Sequence, residues 1–195
     1  MSEMKSAWEK AMEKVEKLGK LSEEELKQLE YQPVGSKLAA KYLQETNYSL
    51  DTELVKYKGT GVRNYVLQGA QEILLRNIFL PKNEHDKQTA SRAMTGLKLL
   101  KENKKLLDTT IDRITNLLNY YVQTRQQTYQ DFKKGFGDKL QAANKAMQQQ
   151  VGAKTRVEPE QHPQFLEEWR KISSQLDAQY EKVLEEHKQQ IMKIA

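Results

Sequence analysis

Apolar side chains recur at intervals of three and four residues along almost the whole chain, which is the spacing of a helix with one buried face. No segment alternates apolar and polar residues with the period of two that marks a half-buried strand. Only 9 glycines and 4 prolines occur, and most of them fall between the helical segments. We therefore predict an all-α fold.

The first 81 residues are predicted to form an N-terminal segment of short helices. Ser22 and Glu25 have the spacing of a capping box, in which each side chain satisfies a free backbone N–H of the other residue. Pro33 separates this helix from another brief apolar stripe, because proline lacks the N–H that a helix interior needs. The most apolar stretch of the chain, residues 62–80, is predicted to form the best-buried helix of this segment.

Residues 82–195 are predicted to form a long helical hairpin that continues the same assembly. One set of positions alternates steps of four and three, as in a coiled-coil seam: Leu107, Ile111, Ile114, Leu118, Tyr121, Arg125, Thr128 and Phe132. A second seam runs from Phe165 to Ile194, after a break that contains Pro159 and Pro163. Two long helices joined by a short loop bury both seams by folding back on each other. We expect an elongated, antiparallel hairpin from about residue 104 onward.

Composition limits the class of protein further. Hydrophobic residues are 37% of the chain and charged residues 30%, and the mean hydropathy is −0.85. Cysteine is absent, which excludes disulfides and cysteine-ligated metal sites. The chain contains no run of about 18 uncharged apolar residues, which is the length that a helix needs to span a membrane. The first residues also lack the apolar core of a signal peptide. We expect a cytoplasmic protein without a transmembrane segment.

The positive charge is concentrated in one stretch. The chain carries a net charge of +5, and residues 125–156 hold seven basic against two acidic side chains. A basic cluster near the far end of the hairpin is typical of a surface for nucleic acid or lipid headgroups. The candidate anion-contact residues are Lys133, Lys134, Lys139, Lys145 and Arg156. The alternative is that these lysines only solvate a long helix, with glutamates of the opposite arm offsetting their charge.

The sequence offers little for catalysis. His162 is expected to cap a loop, and His187 falls on the apolar seam of the last helix. Asp108 and Asp112 share a helix face, but basic neighbours within one turn favour ordinary surface ion pairs over a metal site. No nucleotide-binding or zinc motif occurs. We predict no catalytic residue, no cofactor and no metal, and expect a non-catalytic interaction or scaffolding protein; the alternative is a non-specific binder of an anionic partner.

Self-association is expected because narrow apolar stripes on long helices often stay partly exposed. Trp8, Met12 and Val15 form one such stripe near the N-terminus. Tyr120 and Tyr121 are adjacent, so one of them must point away from the seam, and Tyr120 is the candidate. The expected partner is a second copy of this chain or another protein.

One resemblance adds to these expectations. Residues 4–25 read MKSAWEKAMEKVEKLGKLSEEE, an amphipathic helix ending in Lys-Leu-Gly-Lys-Leu and followed by a Ser-Glu-Glu helix start. This stretch resembles the beginning of a poorly characterised family of bacterial all-helical proteins, mainly over residues 4–45. The resemblance implies a bacterial cytoplasmic setting and supplies no activity and no site residue.

Overall fold

The computed structural model describes residues 22–151 and 158–194. These residues form six α-helices and one 3-10 turn and contain no strand, which confirms the all-α prediction. The α-helices are α1 (Glu23–Gln44), α2 (Leu50–Val55), α3 (Arg63–Arg76), α4 (Glu84–Leu100), α5 (Lys104–Val151) and α6 (Pro163–Lys193), and the 3-10 turn is Pro159–Gln161. The chain divides into two compact units, with the boundary between Arg76 and Asn77, whereas the sequence prediction divides it after residue 81.

In the first unit, α1 packs closely against α3. Gly35 and Gly69 lie where the two helices cross, and both are buried. A Cβ atom on Gly35 would lie 1.8 Å from the Val66 carbonyl oxygen, so only glycine permits this approach. The Ser36 hydroxyl donates to the Gln32 carbonyl at 3.1 Å and lies 3.3 Å from the Gly69 carbonyl oxygen. The backbones of the two helices are therefore in direct contact.

The expected break at Pro33 does not occur, because α1 continues through this residue. The capping box at Ser22 begins the helix as predicted, with the Ser22 hydroxyl accepting from the Glu25 N–H at 3.2 Å. Pro33 removes the N–H that would bond the Leu29 carbonyl. Both residues are exposed, so water can satisfy that carbonyl, and packing against α3 keeps the helix in one piece.

In the second unit, α5 packs against both α4 and α6. The first five seam positions of α5, from Leu107 to Tyr121, are all buried, as the heptad pattern predicts. α5 and α6 run antiparallel, since Tyr121 contacts Asp177 while Phe136 contacts Phe165. The Lys101 ammonium donates to the Ile194 carbonyl and so joins the end of α4 to the end of α6. The predicted helical hairpin is thus present in this unit.

Candidate interaction site

The hairpin is held together, on the side of its loop, by five aromatic rings. Tyr129, Phe132 and Phe136 lie on α5, and Phe165 and Trp169 lie on α6. Phe165 is 1% exposed, and its ring centroid lies 4.8 Å from that of Phe132 and 5.3 Å from that of Phe136. Such ring pairs contribute about 0.5–1.5 kcal/mol each beyond the area that they bury. The aromatic cluster therefore fixes the register of α6 against α5.

Polar pairs fix the same register closer to the middle of α5. The Tyr121 hydroxyl donates to Asp177 Oδ1 at 2.7 Å, and Thr124 Oγ1 lies 3.0 Å from the Tyr180 hydroxyl. Burial raises the pKa of Tyr121 well above its usual value, and the hydrogen bond to Asp177 raises it further. Tyr121 therefore keeps its proton at neutral pH and acts as a donor that joins the two helices.

The predicted basic end of the hairpin is partly neutralised. The Lys133 ammonium pairs with Glu160 Oε1 at 2.8 Å, and the Tyr129 hydroxyl donates to the same oxygen at 2.5 Å. The bond to Lys133, and then the bond to Tyr129, lower the pKa of Glu160, while Glu160 raises the pKa of Lys133. Lys133 is thus engaged within the hairpin rather than left for an external anion.

The other candidate anion contacts do not share one surface. Lys134, Lys139 and Lys145 are exposed and form no ion pair within residues 22–151 and 158–194. At about 100° per residue, Lys134 and Lys145 lie on one side of α5, but Lys139 projects roughly 120–140° away from them. Arg156 lies outside the described residues. Two of the five predicted residues, Lys134 and Lys145, therefore lie on one side of α5, about 16 Å apart along its axis.

Tyr120 points away from the hairpin seam, as the sequence analysis expects. It is 65% exposed, whereas its neighbour Tyr121 is 0% exposed. The other predicted self-association residues, Trp8, Met12 and Val15, lie outside the described residues. Tyr120 is thus the one predicted self-association residue whose position the structure describes.

Further residues, which the sequence analysis did not select, share the side of α5 that carries Tyr120. Leu106 is 50% exposed, and Leu117 is half-buried. At about 100° per residue, these two leucines and Tyr120 lie within about 60° of one another around the helix. Arg113 and Asp131 are exposed on the same side. We call this set of five residues, Leu106, Arg113, Leu117, Tyr120 and Asp131, the outer face of α5.

The remaining candidate residues have local structural partners. His162 caps the start of α6 rather than a loop, and its ring nitrogen Nδ1 accepts from the Gln164 N–H at 3.3 Å. Asp108 pairs at 2.7 Å with Lys98 of α4 rather than with a lysine in its own turn. The described residues contain no group of three or more potential metal-ligating side chains. Among the described helices, none is both long and apolar enough to cross a bilayer.

Comparison with known proteins gives one match. The model of a family of unknown function, DUF6657, matches residues 51–193, which are 143 of the 195 residues. No curated protein and no solved structure matches the chain. The match confirms the prediction of an uncharacterised family, but it includes none of residues 4–45, on which the sequence resemblance rests.

Proposed function

Because this chain belongs to DUF6657, a family of unknown function, we propose a function from its own surface: a non-catalytic interaction protein that pairs with a second copy of itself through the outer face of α5. The observation that carries the proposal is the distribution of apolar and charged side chains on that face. Inside the hairpin, polar groups such as Tyr121 and Glu160 bond across the two arms, which supports a structural role for them.

The charges on the outer face of α5 are self-complementary. Arg113 and Asp131 lie 18 residues apart, which is about five helical turns, so both side chains leave the helix in the same direction. Two copies of the face can meet antiparallel about a two-fold axis at the level of Val122, midway between these residues. Arg113 of each copy then lies opposite Asp131 of the other. A two-fold interface requires this kind of symmetric pairing.

Two apolar side chains of the face, Leu117 and Tyr120, lie within five residues of the same axis, whereas Leu106 lies outside the span from Arg113 to Asp131. Tyr120 is then opposite Thr124 of the second copy, near the centre of the contact, where aromatic side chains contribute most to binding. The span from Arg113 to Asp131 is about 27 Å of helix. One helix face of this length buries less than the ~800 Å² per partner of a standard interface, so we expect weak association.

Sedimentation equilibrium over a range of protein concentrations tests the proposal. The expected species are the 22.7 kDa monomer and a dimer of twice that mass. Arg113→Asp alone, or Asp131→Arg alone, places like charges opposite each other twice in the dimer. Exposed pairs contribute up to about 1 kcal/mol each. Each single variant should therefore raise the dissociation constant about tenfold.

The double variant Arg113→Asp with Asp131→Arg is the decisive measurement, because it restores both charge pairs with their direction reversed. Dimerisation should return toward that of the unaltered chain. Asp112→Arg is the matched control for Asp131→Arg, since it makes the same change of charge on α5 at an exposed position about 100° around the helix from Arg113 and Asp131. A chain that stays monomeric at every concentration would refute the proposal, as would a double variant no better than either single variant.

A second candidate function is non-specific binding of an anionic partner, and the observation that favours it is the exposure of Lys134 and Lys145 on one side of α5. Binding to phosphates should weaken steeply with salt, with a log–log slope of about 0.7–0.9 per phosphate neutralised. Titration with labelled DNA and with anionic vesicles at low and at ~0.15 M salt measures this slope. Reversing both lysines to glutamate should abolish such binding, and no binding at low salt would remove this candidate.

A further inference from the structure

A cavity of about 390 Å³ lies in the second unit, where the first turn of α4 meets the hairpin. The side of α4 contributes Lys82, Glu84 and Lys87, and the hairpin contributes Val122, Arg125 and Trp169. This volume is within the range of about 300–1,000 Å³ that is usual for sites of small organic ligands. The cavity thus combines a wall of apolar and aromatic side chains with several cationic groups.

Arg125 is the unusual residue of this cavity. Its guanidinium carbon lies 5.7 Å from the centroid of the Trp169 ring, so the indole restrains the side chain. Its Nε atom is buried and has no hydrogen-bond partner within the described residues. A buried donor without an acceptor costs stability. No carboxylate in the described part of the chain pairs with this guanidinium at ion-pair distance.

The charges around the cavity do not balance. Among the described residues, Glu84 is the one carboxylate that lines the cavity, and it pairs with Lys87 at 3.3 Å. Lys82 and Arg125 remain without an opposite charge at ion-pair distance within the residues that the structure describes. Two uncompensated cations beside an apolar wall attract an anion, and the guanidinium prefers a planar oxyanion that accepts two parallel hydrogen bonds.

We infer that this cavity binds the carboxylate of a small organic acid that has an apolar body. The carboxylate is held by Arg125 and Lys82, and the apolar body lies against Val122 and Trp169. The carboxylate belongs either to a free organic acid or to the C-terminus of a peptide, since both present the same group to the guanidinium. This site is separate from the outer face of α5, and its existence does not depend on self-association.

Benzoate is the probe for the free acid, and benzamide is its neutral counterpart of nearly the same shape. Binding to the full chain is measured by calorimetry and by the shift of the Trp169 indole N–H signal in NMR spectra. Benzoate should shift that signal, and benzamide should bind at least tenfold more weakly. Equal affinity for the two compounds would overturn the inference, because the charge would then contribute nothing.

Arg125→Gln should weaken benzoate binding at least tenfold. Arg125→Lys should weaken it less, because lysine keeps the positive charge but loses the two parallel N–H donors of the guanidinium. Arg170→Gln is the matched control, since Arg170 is an exposed arginine of the hairpin outside the cavity and outside the outer face of α5, and it should leave binding unchanged. Lys82→Gln should weaken benzoate binding severalfold. Because Lys82 is exposed and precedes α4, this substitution should leave the folding of the chain unchanged. Unchanged binding in Arg125→Gln and Lys82→Gln would refute the site.

A short peptide that ends in phenylalanine, compared with its C-terminal amide, distinguishes the two sources of the carboxylate. Tighter binding of the peptide acid than of benzoate assigns the site to a chain terminus. Tighter binding of benzoate assigns it to a free acid. No NMR shift with benzoate or with the peptide acid would overturn the inference for both sources.

Discussion

Gly69 lies inside α3, where alanine would ordinarily stabilise a helix by about 1 kcal/mol relative to glycine. The crossing with α1 reverses this expectation. A Cβ atom on Gly69 would lie 1.9 Å from the Gln32 carbonyl oxygen and 3.1 Å from the Ser36 nitrogen. Because both atoms belong to the backbone of α1, no side-chain rotation can relieve the overlap. Gly69→Ala must therefore push the two helices apart.

The size of the effect follows from that distance. The Cβ–oxygen contact has to lengthen from 1.9 Å to at least 3.0 Å, so α1 and α3 separate by about 1.1 Å. The separation loosens the packing of the buried residues Ala39, Val66 and Ala70 and lengthens the contact between Ser36 and Gly69. Overpacking of this kind costs about 1–3 kcal/mol, and a clash between backbones belongs at the upper end. After subtracting about 1 kcal/mol for the better helix former, we expect a net loss of about 2 kcal/mol.

Urea unfolding followed by circular dichroism measures the change in the free energy of unfolding, and hydrogen exchange assigns it to a unit. Gly135→Ala is the control, because Gly135 lies inside α5 and a Cβ atom there would meet nothing within 4 Å. It should stabilise the chain by up to about 1 kcal/mol. In Gly69→Ala, amides of residues 23–76 should exchange faster. If Gly69→Ala stabilised the chain as Gly135→Ala does, the close crossing of α1 and α3 would be wrong.

Two further predictions concern the hairpin. Phe165→Ala should destabilise the second unit by about 3–5 kcal/mol, because it leaves a cavity in the aromatic cluster. Leu166→Ala, at a residue that is 58% exposed, should change stability by about 0.5 kcal/mol or less. Equal effects of the two substitutions in urea unfolding would refute the assignment of which side of α6 faces α5. The raised pKa of Tyr121 stabilises the fold as long as its hydroxyl keeps its proton, so this contribution is complete below the usual pKa of 10.0 and is lost as the pH rises above it toward the folded-state pKa. Tyr121→Phe should cost about 1 kcal/mol at neutral pH. Between pH 8 and 11, this variant should lose less stability in urea unfolding than the unaltered chain, in which Tyr121 titrates together with the other tyrosines. Equal losses of stability in the two proteins would contradict the Tyr121–Asp177 bond.

The hairpin could be predicted from the sequence because its signal is local. The steps of four and three from Leu107 to Tyr121 place one face of α5 inside, whatever the helix packs against. The same rule separates Tyr120 from Tyr121, since adjacent residues leave a helix in directions about 100° apart. Ser22 is predictable as a helix start for a similar reason, because a capping side chain bonds to backbone only a few residues away. The sequence analysis expects His162 to cap a loop, whereas its ring caps the start of α6.

The tertiary structure decided the features that join distant parts of the chain. Glycine has no side chain to contribute to a periodic pattern, so the crossing at Gly35 and Gly69 left no sign in the sequence. The sequence predicts Lys133 as part of an exposed basic cluster, but Glu160, 27 residues later, lies 2.8 Å from its ammonium group. Arg125 fits the spacing of an apolar seam, but its position beside Trp169, without an acceptor for Nε within the described residues, depends on how α6 folds back. Periodicity determines which face of a helix is buried, whereas the partner of a charge depends on contacts between residues far apart in the chain.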